Sequence, residues 1–367
     1  MNLKMKISEK RVHEHYMRMA MSLARRGTGA TSPNPKVGCV IVKDGVIVGM
    51  DFHRHPGAPH AEVGALSMAK ELAKDSTLYV NLEPCTHYGR TPPCCPLIAQ
   101  SGVKTVCIAV EDPFDKVQGK GIEYLRSSGI EVIVGILEEE ARWLNRGFFM
   151  AFKEGRPWIT LKVATSLDGN VALIDGSSRW ITGQSSLKRS HLLRAETDAI
   201  LVGIGTVLKD NPELTVRLID GKNPLKIALD TYLRIPLDAK LFNEGKTLIV
   251  TSKNSSPQKM EELISKGIDV LQVPTDFSGK LNIKEMVFKL PSMGIHYLLV
   301  EGGPRVLSSF FEADLCDEMA LFYAPKIIGQ GKRIFPQILL KDMIEIPKGK
   351  IRSTKRLDDD LLMEVDL

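Results

Sequence analysis

Two α/β domains in tandem are the fold class that this sequence predicts, on three observations. The chain has 367 residues, 43% of them hydrophobic, which is more than one average domain holds and enough for two separate cores. Short apolar runs of strand length alternate with segments of helical periodicity through both halves. Between the halves, KEGRP at 153–157 punctuates the chain with a glycine and a proline. The expected domains are residues 1–152 and 153–367, with no internal repeat and no low-complexity tract.

A first helix is predicted from Glu9 to Arg26, with apolar positions at Val12, Tyr16, Met19, Ala20 and Leu23. VGCVIV and VIVGM follow, joined by Asp44-Gly45, a dipeptide suited to the positive φ values of a two-residue hairpin turn. A helix from His60 to Lys74, a strand at 77–83 and a helix reaching Ser101 come next. Strands at VKTVCIAV and IEVIVGIL flank a helix over Gly121 to Ser128, and EEEARWLNRGFFMAF reads as one further helix. The order ββαβαβαβ implies a mixed sheet with helices on its faces.

From Trp158 the pattern is strand (WITLKVATS), loop, helix over 184–196, strand (AILVG), loop, then strands LKIALD and TLIVT. A helix, the strand DVLQV, a helix over 282–290, the strand YLLVEGG, a helix and terminal β structure complete it. Such alternation predicts a second, largely parallel sheet.

The net charge of +5 is dispersed and lacks the basic blocks of a nucleic-acid arm, so a small anionic substrate accounts for it and no nucleic-acid partner is expected. No segment reaches the roughly 18 apolar residues of a membrane span, and MNLKMKISEK lacks a signal-peptide core, so a cytoplasmic protein without a membrane partner is expected. Of six cysteines, Cys85, Cys94 and Cys95 cluster, whereas Cys39, Cys107 and Cys316 sit in apolar runs. That distribution suits a metal site better than a disulfide framework.

His60-Ala61-Glu62, then Pro84-Cys85, then Cys94, make up an imidazole, two thiols and a carboxylate in the order of the zinc-dependent nucleobase deaminases. One imidazole and two thiolates hold Zn²⁺ at three corners of a tetrahedron, and the fourth is left for a water. Glu62 is then the proton carrier. Eight residues, THYGRTPP, separate Cys85 from Cys94 where the general pattern has about two. Chemistry alone does not choose between Cys94 and Cys95. A structural zinc site closed by Cys95, His87, His55 or His53 is the alternative, and buried thiols beside an unrelated surface histidine are a further, weaker one.

HAEVGAL, LEPCTHYGRTPPC and SPNPKVGCVIVKDG resemble the deaminase half of the bifunctional riboflavin-biosynthesis deaminase–reductase family, and the resemblance extends over nearly the whole chain. It implies a cytidine-deaminase-like first domain, with zinc on His60, Cys85 and Cys94, Glu62 catalytic and Cys95 a bystander. It further implies that Asn34, His53, His87 and Arg90 hold a pyrimidine and its ribose phosphate, an amide suiting ring edges and a guanidinium a phosphate. Singly, Asn34 could be a turn residue, His53 a strand-end polar residue and Arg90 a loop charge. EDPFDKVQGKG departs from the family at Phe114 and Asp115.

In the second half, Gly203 and Gly205 are followed by Leu208, so a dinucleotide fingerprint fails at its third glycine. Gly302-Gly303 opens another strand-to-helix turn, where backbone N–H groups and the helix dipole can receive phosphate. Tight turning alone would also explain these glycines. LKVATSLDGNVA, SSRWITG, LLRAETDAILVGIGTVLKDNPELTVR and VEGGPRVL resemble, in the family's order, the reductase half, a dihydrofolate-reductase-like domain that uses NADPH. The resemblance implies cofactor positions at Ala164, Trp180, Thr206, Thr231, Gly302 and Gly303. It implies substrate positions at Ser178, Arg194, Asn211, Leu214, Arg217 and Glu301, with two arginines suiting a ribose phosphate. Family members often have Asp at Asn211, and Lys162 either lines the cleft or is a solvated charge flanking a strand. The implied reactions are deamination of a diaminopyrimidinone ribosyl phosphate and then NADPH-dependent reduction of its ribosyl group to ribityl. A homodimer or homotetramer is the family expectation.

Overall fold

The computed structural model describes residues 7–89, 91–114, 117–178, 180–336, 338, 342 and 346–367. The chain divides into two compact units after Gly155, because the last helix of the first unit runs through Lys153.

In the first unit, α1 (Ile7–Arg25) buries Met17, Ala20, Met21 and Ala24, one face at i, i+3, i+4 and i+7. Val12, expected on that face, is 52% exposed. Strands β1 (Gly38–Lys43) and β2 (Val46–Phe52) are joined through Asp44 and Gly45, both at positive φ. Helix α2 (Ala61–Ala69) packs so closely on β2 that a Cβ at Gly49 would stand 2.2 Å from the Ala65 carbonyl oxygen. The expected helix to Lys74 ends early. Lys70 takes a φ of 50° and a 3-10 turn follows, bringing Ala69 and Ala73 both into the core.

The rest of the unit is β3 (Thr77–Val80), α3 (Cys94–Gln100), β4 (Thr105–Ile108), α4 (Lys120–Ser127), β5 (Glu131–Val134), α5 (Glu138–Leu144) and α6 (Arg146–Lys153). The sheet order is β2-β1-β3-β4-β5, antiparallel at β2/β1/β3 and parallel from β3 to β5. The single helix expected over EEEARWLNRGFFMAF is broken at Asn145. Its buried amide accepts from the Lys36 backbone N–H at 2.8 Å and donates to the Lys36 carbonyl at 2.9 Å, and Asn145 leaves helical geometry at φ −107°.

The second unit contains β6 (Trp158–Ser166), β7 (Asn170–Leu173), α7 (Gln184–Glu196), β8 (Ala199–Gly203), α8 (Ile204–Asp210), β9 (Leu225–Leu229), β10 (Thr247–Ser252), α9 (Pro257–Ser265) and β11 (Asp269–Val273). It continues with α10 (Ile283–Lys289), β12 (Tyr297–Val300), α11 (Pro304–Glu312), β13 (Glu318–Ala324), β14 (Gly331–Arg333), β15 (Lys350–Leu357) and β16 (Asp360–Asp366). A nine-stranded sheet runs β11-β10-β9-β8-β12-β6-β13-β16-β15, parallel through β13, with β16 and β15 antiparallel at one edge. Strands β7 and β14 pair separately.

Cores lie on both faces of the large sheet, one built on Ile159, Leu298 and Phe310, the other on Ile200, Leu263 and Phe322. Burial on both faces is why these strands read as continuous apolar runs. Helix α8 stands where a loop was expected. It buries Ile204 and Val207 and ends at Asn211, whose φ is 41°, too short a segment for periodicity to reveal.

Candidate functional site

His60 is the N-cap of α2, Glu62 lies in its first turn, and Cys94 opens α3. Cys85 comes from the loop after β3 and accepts from the Cys94 backbone N–H at 3.4 Å. Donor atoms of His60, Cys85 and Cys94 all lie within 4.8 Å of one another. His60 Nδ1 is 3.2 Å from Cys94 Sγ and 3.6 Å from Cys85 Sγ. Zinc ligands at their normal bond lengths sit roughly 3.4–3.8 Å apart around a tetrahedron. The Cys85 distance falls in that range and the Cys94 distance is a few tenths of an ångström short of it, so the donor set fits that ion with a small side-chain adjustment. Cys95 turns away and directs its sulfur at the Pro84 carbonyl oxygen at 3.2 Å.

Of the two clustered thiols, Cys85 is the one held far below its usual range, chiefly because Cys94 donates to it, with His60 and the Cys94 amide adding to the effect. Cys94 is pushed up by the same hydrogen bond and by burial. Glu62 is only 3% exposed, and its Oε2 has no hydrogen-bond partner. Burial raises its pKa.

His53 is buried beside this cluster, its ring centroid 5.5 Å from that of His60. Its Nδ1 faces the Pro59 carbonyl at 3.2 Å, which can only accept, and its Nε2 faces the Asn34 amide nitrogen at 3.0 Å. That pairing requires the neutral tautomer protonated at Nδ1, in line with the downward shift that burial causes. His87 presents a buried Nδ1 without a partner, and its ring meets the edge of Phe114 at 5.8 Å. Arg90 and Asp115 lie outside the described residues.

Two contributors escaped the sequence reading. Thr91 Oγ1 is 3.0 Å from His60 Nε2, a contact of the kind that fixes the tautomer of a metal-binding imidazole. Glu83, buried two residues before Cys85, accepts from the backbone N–H groups of Asp112, Gly119, Gly121 and Ile122 at 2.8–3.2 Å. It ties the cysteine loop to the loop that carries Phe114. A hydroxyl inside THYGRTPP and an acid beside Pro84 were the available signals.

In the second unit, Ala164, the Gly302-Gly303 turn, Thr206 and Thr231 fall toward the carboxyl ends of β6, β12, β8 and β9, which are consecutive neighbours in the sheet. That edge is where open α/β sheets bind ligands. A Cβ at Gly205 would meet nothing within 4 Å, and one at Gly303 only Thr206 Oγ1 at 3.7 Å, so both helix starts leave room for a phosphate to approach the backbone. Ser252 and Ser255, at the end of β10, carry buried hydroxyls without partners. These features fit a dinucleotide. Ser178 and Trp180 lie on the exposed loop after β7, where Lys326 Nζ donates to the Trp180 carbonyl at 2.8 Å.

Arg194 donates through Nε and Nη2 to both oxygens of Glu301, at 2.8 and 2.9 Å, and through Nη1 to the Thr215 carbonyl at 3.2 Å. Its guanidinium is thus engaged by the protein, contrary to the free phosphate ligand that two arginines suggested. Lys162 is no solvated charge. It is 17% exposed, 3.9 Å from Glu301 and set over the Phe322 ring, and burial lowers its pKa. Glu301 is largely covered, which by itself would raise its carboxyl, yet Arg194 and Lys162 hold it down at about 2.

Arg217 is half exposed, with Nη1 donating to Glu213 and to Thr215 Oγ1. Its backbone N–H donates to the buried His191, whose pKa falls to about 4 through burial and the neighbouring arginines. Leu214 is buried at φ 53°. Asn211 turns its Oδ1 to the Lys240 backbone N–H at 2.9 Å.

Comparison with known proteins agrees with this geometry. Residues 10–110 match the family model of the cytidine and deoxycytidylate deaminase zinc-binding region, and residues 157–363 match that of the RibD C-terminal domain. The riboflavin biosynthesis protein RibD of Aquifex aeolicus is 46% identical over 96% of this chain and 98% of its own, and that of Escherichia coli is 37% identical over 96% and 98%. Among solved structures, Acinetobacter baumannii RibD superposes with a TM-score of 0.90 at 37% identity, covering 98% of this chain and 99% of that one. A Thermotoga maritima diaminohydroxyphosphoribosylaminopyrimidine deaminase/5-amino-6-(5-phosphoribosylamino)uracil reductase gives 0.86 at 37% identity, covering 97% and 99%. An open three-ligand metal cluster in one unit, a dinucleotide-sized sheet edge in the other and these matches across both place the chain in the RibD family, the bifunctional zinc deaminases and NADPH reductases of riboflavin biosynthesis.

Proposed function

We propose that the first unit deaminates a diaminopyrimidinone ribosyl phosphate with His60, Cys85 and Cys94 as zinc ligands and Glu62 as proton carrier. The observation that carries this reading is the buried, unpartnered Glu62 oxygen in a unit whose three metal donors converge. Zinc, when bound, lowers the pKa of a coordinated water toward neutrality. Glu62 carries one proton of the attacking water to the ring nitrogen and then the second, from the hydroxyl so formed, to the amine, which leaves as ammonia while the ring carbon becomes a carbonyl. His53 orients the Asn34 amide, so that Asn34 Oδ1 and the second amide N–H are left for the pyrimidine edge. His87 offers its free Nδ1, and Arg90 is assigned the phosphate.

In the second unit, Ala164, Trp180, Thr206, Thr231 and Gly302-Gly303 hold NADPH, and Ser178, Arg194, Asn211, Leu214, Arg217 and Glu301 surround the deaminated product. When bound, NADPH would supply a hydride to the ribose C1. The C1–O ring bond breaks and a proton must reach the released oxygen. Lys162 Nζ, 3.9 Å from Glu301, is a group able to deliver it. Arg217 is the arginine with exposed surface for the phosphate, and Arg194 holds Glu301 in place. A cytoplasmic dimer or tetramer completes the reading, to be checked by sedimentation of the purified chain.

The deciding experiment gives zinc-loaded protein the diaminopyrimidinone ribosyl phosphate with and without NADPH, following ammonia and NADPH oxidation together. Ammonia without NADPH, and equimolar NADPH oxidation once it is added, are expected. Ammonia alone would remove the assignments in the second unit.

A further inference from the structure

The buried Nδ1 of His87 has no hydrogen-bond partner, so no bond at this atom fixes how the imidazole is turned. A loop side chain assigned to a ligand must still be held, because one free to rotate loses binding energy to its own ordering. The contact that can hold it is aromatic. The Phe114 ring meets the imidazole with centroids 5.8 Å apart and planes at 70°, the edge-on arrangement that ring quadrupoles favour.

Phe114 is itself held on two sides. Its backbone N–H donates to Asp112 Oδ1 at 2.8 Å, and its carbonyl accepts from the N–H groups of Val117 and Gln118 at 2.8 and 2.9 Å. Glu83, which opens the loop carrying His87, accepts from the Asp112 N–H at 3.1 Å, so one carboxylate anchors both partners of the ring contact. On its other side the Phe114 ring packs on Phe152 of α6 at 5.2 Å, and Phe152 packs on Phe148 at 4.7 Å. Phe148 is 6% exposed and belongs to the core beneath α1. A row of rings therefore runs from that core to an imidazole whose polar atom is left over. Phe114 is also a place where the sequence departs from its family. A phenyl ring has no donor or acceptor for a pyrimidine edge, so what it brings there is contact and shape.

We propose that Phe114 is a positioning residue of the deaminase site, its ring holding the His87 imidazole so that Nδ1 faces the bound pyrimidine ribosyl phosphate. Phe152 supports it from α6. The proposal rests on the assignment of His87 to that substrate.

The test is a double-mutant cycle on deamination, with H87A, F114A and H87A/F114A assayed as zinc-loaded full chains for KM and kcat separately. F114A should raise KM for the diaminopyrimidinone ribosyl phosphate about three- to tenfold, the worth of one edge-on aromatic pair, and leave kcat unchanged. In the H87A background the same substitution should raise KM no further, since the ring then has nothing to hold. F114L, which keeps bulk beside the imidazole without an aromatic edge, should fall between the native chain and F114A. F152A, one ring further away, should raise KM by a smaller factor than F114A.

Additive effects of the two substitutions, or a fall in kcat with KM unchanged, would each overturn the proposal. So would a drop in zinc content or unfolding temperature that accounts for the whole loss in F114A, which would make the ring purely structural. A raised KM in H87A with none in F114A would overturn the role of Phe114 alone. An unchanged KM in H87A would overturn the assignment of His87 to the substrate, and the role of Phe114 with it.

Discussion

The His60 cluster and the Glu301 cluster are both largely covered and polar, but they balance their polarity in opposite ways. Around His60, Glu62 Oε2 and His87 Nδ1 lack partners, and the three metal donors leave one tetrahedral corner open. Around Glu301, both carboxylate oxygens are taken by Arg194, whose third contact goes to the Thr215 carbonyl. The difference teaches where chemistry and scaffolding separate. Unsatisfied buried groups mark atoms reserved for a ligand, whereas a closed ion pair holds neighbouring elements in register and is costly to break.

The sharpest way to break the comparison is E62Q. It should lower ammonia release by roughly 10²–10⁴-fold, the range for a positioned general acid–base, and leave reduction of the deaminated intermediate intact. Removing zinc with a chelator should have the same selective effect, reversed by adding the ion back. Loss of both activities in a folded protein would show that the two clusters are not independent.

E301Q attacks the closed side. Leaving Arg194 and Lys162 short of a countercharge should cost about 3–5 kcal/mol, read by calorimetry as a lower unfolding temperature of the second unit. An unchanged unfolding temperature, with a change confined to reductase kinetics, would remove the scaffolding role of Glu301 and leave only its place beside the product.

T91A tests the support beneath the open cluster. Loss of the hydroxyl beside His60 Nε2 should weaken zinc binding about 10–100-fold, measured by competition with a chromophoric chelator. Unchanged affinity would leave Thr91 with no part in orienting the imidazole.

The smallest effect concerns pH. The carboxyl of Glu301 lies at about 2 in the folded chain, below an ordinary value of about 4.3. Its contribution is therefore complete above the unfolded value and is lost as pH falls through about 2. Unfolding temperatures of the native chain and E301Q should converge over that interval, and a constant gap would remove the linkage.

Much of the first site could be read directly because its signals are local. His60 and Glu62 share the start of one helix, and Cys85 and Cys94 flank one loop. Thr91 stayed hidden in that same loop, since a hydroxyl has many uses and only its distance from His60 Nε2 singles it out. Lys162 and Glu301 were harder to relate. They come from β6 and from just beyond β12, far apart in the chain and adjacent in the sheet. Periodicity carries no information about such pairing, and the breaks at Lys70 and Asn145 likewise follow from packing and from contact with Lys36.

By itself the sequence determined two α/β units, a mixed and a largely parallel sheet, and a metal-ligand pattern with its carboxylate, because strand and helix periods and helix-start chemistry are written within a few neighbouring residues. Only the tertiary structure decided that Cys95 turns away, that Arg194 is spent on Glu301, that Lys162 is mostly covered, and that Ser252 and Ser255 are left without partners. Each of those depends on which atoms distant segments bring within hydrogen-bond range, and burial sets the energy of that meeting.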